Sequence, residues 1–320
     1  MTGGLRALLA GSIDYAGMFP PAGLPLNQAI DELRRHRRGP AGWMIGRFVV
    51  PAAKLAELAV SYELERDGRL TVIVAAADSG DAFLKNLDAA LTGVAEFPAR
   101  AAIDTLEFRW PADSMRECDA ARLGNLVHTA AGEIVASRLQ PITMYFELPR
   151  PESPTAGRAG HELCRAAIAA LAEYNRTAGN LNCLAGFKLR CGGTDPAAVP
   201  SPGEVAAVIC ECLDRGVFWK ATAGLHHPLR RNGDESMHGF LNLLVAAVLA
   251  GVHRLDEKQT RAIVETVDAG QFRFTADGLS WGDFATSSAQ VAAAREHSLR
   301  SFGSCSIDEP WQDLRLLELT

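Results

Sequence analysis

Two short apolar runs, each with a lysine at its centre, constrain this chain more than any other feature. The first is Gly186-Phe187-Lys188-Leu189-Arg190-Cys191-Gly192-Gly193, and the second begins Phe218-Trp219-Lys220-Ala221-Thr222-Ala223-Gly224. Between them, Gly203–Arg215 has the length of one helix. Strand, crossover helix, strand is the repeating unit of a parallel sheet. A lysine in a strand covered on both faces is costly unless it is paired or used. Two of them at equivalent points of neighbouring strands predict a polar site inside the sheet.

The same unit recurs along the chain. Strands are expected at Ser12–Phe19, Gly46–Val50, Leu70–Ala77, Ala102–Trp110, Ile142–Leu148 and Leu299–Ser306, with helical patterns between them. Together with the lysine strands, this alternation predicts an α/β chain folded as a (β/α)8 TIM barrel over residues 1–320, with a doubly wound sheet as the alternative. The segment Asn232–Ser298 is too long for one crossover. It is expected as an insertion between strands seven and eight, holding helices Met237–Ala250 and Asp256–Val267 and a hairpin Phe272–Asp283 that turns at Asp277-Gly278. Long loops at the carboxyl face of a barrel carry function, so this one is expected to cover the mouth as a lid or an oligomer contact.

Side chains alternate in direction along a strand. If Leu106, Phe108, Phe146, Phe187, Leu189 and Trp219 face the helices, then Glu107, Arg109, Tyr145, Glu147, Lys188, Arg190, Lys220 and Thr222 face the barrel interior. A barrel that only needed filling would use Val, Ile and Leu, because buried ion networks stabilise less than apolar packing. The charged set therefore points to an active site, with an inert salt-bridge network as the plain alternative. Two ammoniums so close repel, and one should lose its proton unless Glu107 and Glu147 neutralise both.

His226 and His227 follow Gly224 in the loop after the second lysine strand. They are candidates for acid/base work. No HxH or HExxH spacing supports a metal, and neither metal nor cofactor is expected. Backbone amides at Gly192, Gly193, Gly224, Gly303, Ser304 and Cys305 can cradle a phosphate or carboxylate; alternatively these small residues only let strand pack on helix.

The net charge of −6 argues against a nucleic-acid partner, and no apolar run reaches membrane-spanning length. Seven scattered cysteines without a CxxC pair read as reduced thiols of a cytoplasmic protein, and the amino terminus lacks a signal-peptide core. The expected partner is a small anionic substrate, with a homo-oligomer as the expected assembly.

These residues resemble the class I aldolases, in particular the deoxyribose-phosphate aldolase family. Lys188 in GFKLRCGG falls where that family's Schiff-base lysine lies on strand six, Lys220 in FWKATAGL where its second lysine lies on strand seven, and RSFGSCS is similar to its eighth-strand run. Leu189-Arg190-Cys191 departs from the family's threonine/serine-rich run, and the double histidine and the long insertion have no counterpart in it. The resemblance implies a lyase that forms an imine on a small oxo-acid or sugar-like compound. Glu147 or a histidine would move protons, and Arg190 or Arg109 would hold the substrate's anionic group. The alternatives are a metal- or acid/base-assisted hydrolase or isomerase using Glu107, Glu147, His226 and His227, and a non-catalytic barrel that binds a small anion.

Overall fold

In the computed structural model the described residues are 1–99, 102–115, 119–139, 142–148, 157–178, 183–192, 199–231 and 237–320. The expected site residue Gly193 and the expected insertion boundary Asn232 lie outside them.

The strands are, in order, β1 (Ile13–Tyr15), β2 (Ile45–Pro51), β3 (Arg69–Ile73), β4 (Ile103–Arg109), β5 (Ile142–Glu147), β6 (Cys183–Arg190) and β7 (Trp219–Thr222). A separate sheet of β8 (Phe272–Phe274), β9 (Gly278–Trp281) and β10 (Phe284–Ser287) precedes the last strand, β11 (Leu299–Ser304). The helices are α1 (Gly3–Leu9), α2 (Leu26–Arg38), α3 (Leu55–Leu58), α4 (Leu64–Asp67), α5 (Gly80–Glu96) and α6 (Ala120–Ala136). They continue with α7 (Gly157–Thr177), α8 (Pro202–Asp214), α9 (Phe240–His253), α10 (Glu257–Glu265), α11 (Ser288–His297) and α12 (Asp308–Leu316).

Strands β1–β7 and β11 close into a barrel in the order β1-β11-β7-β6-β5-β4-β3-β2, every pair parallel. Closure rests on β1, which pairs with β2 at Ile13↔Ile45 and with β11 at Asp14↔Gly303. A doubly wound sheet would leave two open edges, so that alternative is excluded. The protein is a (β/α)8 barrel.

Local chemistry explains the helices. Ser201 and Glu204 close a capping box at the start of α8, with Pro202 in its first turn. Ser79 caps α5 and Asp256 with Gln259 caps α10. Helix α9 is apolar all round because it is covered all round: Phe240 stacks on Phe302 of β11 at 5.0 Å, and α10 and α11 lie against α9. Its buried Asn242 is satisfied, accepting from Arg230 N at 2.9 Å and donating to the carbonyls of Ile263 and Thr266 at 2.9 and 2.7 Å.

The segment before β11 departs from expectation in three ways. The expected hairpin is a three-stranded antiparallel sheet, because Asp283 turns the chain once more into β10. Helix α11 follows, started by a Ser287–Gln290 capping box that the apolar pattern alone did not reveal. The sheet also lies at the amino-terminal end of the barrel, against α1, so it is no lid. The Gly4 amide bonds Thr275 O at 3.0 Å, and a Cβ on Gly4 would meet Gly278 O at 1.9 Å, so only glycine permits this approach. Among the segment's described residues, Met237 alone reaches the cavity at the other end.

Candidate active site

The parity expected from sequence is the parity found. Phe108, Phe146, Phe187 and Trp219 are buried under the helix layer, and the alternate positions turn inward. Neighbouring registers then bring the charges together. Glu147 lies opposite Arg109 on one side and Lys188 on the other, Lys188 lies opposite Lys220, and Lys220 lies opposite Ser301.

The result is a continuous ion chain across the barrel. Lys188 Nζ contacts Glu107 Oε2 at 2.7 Å and Glu147 Oε2 at 2.8 Å. Lys220 Nζ donates to Glu107 Oε1 at 2.6 Å and also to Asp14 Oδ2. Ser301 Oγ donates to the same Asp14 oxygen at 2.8 Å. At the far end Glu147 Oε1 faces Arg109 Nη2 at 3.5 Å and Arg190 Nη1 at 3.8 Å. Arg190 is further anchored by its Nε, 3.0 Å from Gly192 O.

Burial alone would raise the Glu107 carboxyl, but the ammoniums of Lys188 and Lys220 overcome it and hold that group at about 2. Glu147 is likewise pulled below the ordinary range, against its burial, by Lys188 first and then by Arg109 and Arg190. Burial opposes charge on both lysines, yet their paired carboxylates outweigh it and both shift upward. The stated exception is the arrangement found: Glu107 and Glu147 pair with the lysines, Asp14 supplies a third carboxylate, and each ammonium sits between two.

Above the chain opens a cavity of about 1100 Å³. Glu107, Arg109, Glu147, Lys188, Arg190, Lys220 and Thr222 line it, as do Gly224, His226, His227, Gly303 and Cys305. Other expected residues are placed differently. Tyr145 lies beneath, its ring 5.4 Å from Lys220 Nζ. Gly192 packs on Gly224, where an added Cβ would come within 2.7 Å of the neighbouring Cα, so its role is close strand packing. Ser304 is buried and its Oγ donates to Ser306 O at 2.7 Å.

Both histidines reach the cavity from the loop after β7, where Ala223 and Gly224 take φ of +62° and +70°. Helix α12 orients the rings: Asp313 Oδ2 is 2.6 Å from His227 Nδ1, and Glu309 Oε2 is 3.2 Å from His226 Nδ1. Burial pushes the His226 imidazole down and outweighs Glu309, which favours the neutral ring. Cys305 Sγ stands 4.0 Å from His226 Nδ1, and burial moves its thiol up, away from a thiolate. Glu32, His36 and Asp308 bring possible metal-ligand atoms within 4.8 Å of one another, and Arg35 already bonds both of those carboxylates.

Sequence reasoning missed Asp14 and Ser301. Asp14 carried the signal used for the lysines, a charge between apolar neighbours in Ser12-Ile13-Asp14-Tyr15; Ser301 carried none. Among the described residues, no helix is long and apolar enough to cross a membrane. No protein-family model and no curated protein matches this chain in sequence.

Proposed function

We propose that the protein is a carbon–carbon lyase of the class I aldolase type, forming an imine between Lys188 and a small anionic oxo compound. One observation carries this reading. Of two lysines in one ion chain, Lys188 is the more exposed, at 9% against 1% for Lys220, and it stands beside two guanidiniums that can take an anion.

The resting ammonium must first give up its proton. Glu147 Oε2, 2.8 Å away, is the acceptor. Arg109 and Arg190 hold the other oxygen of Glu147 only at 3.5 and 3.8 Å. A substrate anion drawn to those guanidiniums competes for them, and Glu147 becomes the stronger base. The neutral amine then adds to the carbonyl carbon. The carbinolamine hydroxyl leaves as water with the proton held by Glu147, and a cationic imine remains beside ionised Glu107. That imine is the electron sink for cleavage of the adjacent carbon–carbon bond, while Glu147 accepts the proton of the β-hydroxyl group. Lys220 stays charged and fixes Glu107 and Asp14.

Borohydride reduction in the presence of aldehydes and 2-oxo acids tests this. Mass spectrometry should find one adduct on Lys188, absent from Lys188→Met and retained at Lys188 in Lys220→Met. No adduct across a broad carbonyl panel overturns the reading.

A second reading draws on the pairing itself. With two carboxylates on each ammonium, both lysines can remain charged and act as electrophilic stabilisers in acid/base chemistry with Glu147 and the histidines. Turnover without any trapped adduct would select it.

A further inference from the structure

The walls of the cavity differ, and the difference names a substrate class. Strands β4 to β7 contribute every charge of the ion chain except Asp14. The opposite wall is built by Val49, Pro51, Ile73, Ala89, Phe19 and Pro21. Ile73 pairs with Glu107 in register and Pro51 pairs with Ile73, so this apolar surface begins at the level of the carboxylates. It continues outward to α5. There the side-chain amide of Asn86 is engaged, donating to the carbonyls of Ala75 and Ala76 at 3.2 and 3.1 Å.

The anion subsite is equally one-sided. Among the described residues of the ion chain, three carboxylates (Asp14, Glu107, Glu147) face four cations (Lys188, Lys220, Arg109, Arg190). Arg109 and Arg190 stand at the exposed end of this chain, beside Glu147, where an anion can reach them. On the β11 side, where barrels often bind phosphate, a carboxylate stands instead. Glu309 lines the cavity in the first turn of α12, and its amide is directed to Ser306 Oγ at 3.2 Å. The Ser306 amide in turn donates to Ser304 Oγ at 3.3 Å. A phosphate there would meet Glu309 and few open amides.

We infer that the site takes a monocarboxylate with an apolar tail, an aliphatic 2-oxo acid or its hydroxylated aldol adduct, with the carboxylate at Arg109 and Arg190 and the tail along Val49, Ile73 and α5. The inference rests on the lyase reading for its carbonyl chemistry, but the binding preference stands by itself.

Calorimetric titration of 2-hydroxy acids with four, six and eight carbons reads the preference without imine formation. Affinity should rise roughly fourfold per added methylene, as for apolar surface leaving water. 2-Hydroxyoctanoate should bind at least tenfold more tightly than hexyl phosphate. Arg190→Met should cost at least tenfold for all three acids. Ala89→Glu, on the exposed face of α5, should flatten the chain-length dependence. A flat series in the unaltered protein, or tighter binding of hexyl phosphate, overturns the inference. Borohydride with 2-oxooctanoate separates the two claims. Tight binding of the hydroxy acid with no adduct from the oxo acid sinks the lyase reading alone. An adduct with glyceraldehyde 3-phosphate, beside a flat series, sinks the inference alone.

Discussion

Glu107 is the shared carboxylate of the ion chain, and Glu107→Gln is the perturbation that reads its worth. The substitution keeps shape and removes the charge that touches Lys188 at 2.7 Å and Lys220 at 2.6 Å. The group lies at about 2 against an ordinary 4.5. At about 1.4 kcal/mol per pH unit, that displacement is worth about 3 kcal/mol. Breaking a buried pair from one side costs about 3–5 kcal/mol, so a loss in that range is expected at pH 7. The pH profile should change as well. In the unaltered protein the Glu107 contribution is complete above pH 4.5 and is lost as pH falls towards 2. The lysine contributions, from groups shifted upward, are complete below 10.5 and are lost as pH rises past it. Between these limits neither Glu107 nor the two lysines add a slope to the stability profile. In Glu107→Gln the two ammoniums repel with one carboxylate each, and a lysine is driven below its ordinary range. The unfolded chain then binds more protons than the folded one, so stability of the variant should rise from pH 7 to 10. Urea unfolding followed by circular dichroism at each pH measures both effects. A loss under about 1 kcal/mol with an unchanged profile would refute the idea that Glu107 neutralises both lysines.

Two further outcomes concern the frame around the site. His238 is fully buried, and burial first, then Arg230, hold its imidazole at about 4 against 6.5, although its ring nitrogen lies 2.6 Å from Pro200 O. Its stabilising effect is complete above pH 6.5 and is lost as pH falls towards 4, by about 3 kcal/mol; His238→Gln should remove that slope in urea titrations, and a slope left intact would assign it elsewhere. Ala223 holds a left-handed φ of +62° at the cavity edge, so Ala223→Gly should raise stability by about 1 kcal/mol in thermal unfolding, and a fall would mean that the methyl group packs usefully there.

The barrel was legible because its signals are local and repeated. Each strand is an apolar run, and parity alone turned Glu107, Glu147, Lys188 and Lys220 inward. The position of β8–β10 was not legible, because length and composition do not say at which end of a barrel a segment packs. That choice rests on a long-range approach of the Gly4 backbone to Gly278. The part Asp14 plays in the network was missed for a single reason. Asp14 comes from the strand furthest in sequence from Lys220, 206 residues away, and only barrel closure makes them neighbours. A charge balance counted over β4 to β7 omits the residue that closes it.

That closure also bears on which lysine can react. Lys220 lies between Asp14 and Glu107, both of them buried and, among the described residues, neither paired with an arginine within salt-bridge distance. Moving its proton would remove the ammonium that bridges these two carboxylates. Lys188 shares Glu107, but its second carboxylate, Glu147, is also flanked by Arg109 and Arg190, whose side chains are 40% and 35% exposed. On the proposed reading these two guanidiniums are where an incoming anion alters the balance, and Lys188 is the ammonium next to that point. The upward shifts keep both lysines charged at rest, and the proposed lyase reading makes Lys188 the one that responds to substrate. On the proposed lyase reading such an arrangement keeps the amine masked until the anion arrives, and that role would account for a buried ion chain in a barrel interior that Val, Ile and Leu would have filled with greater stability.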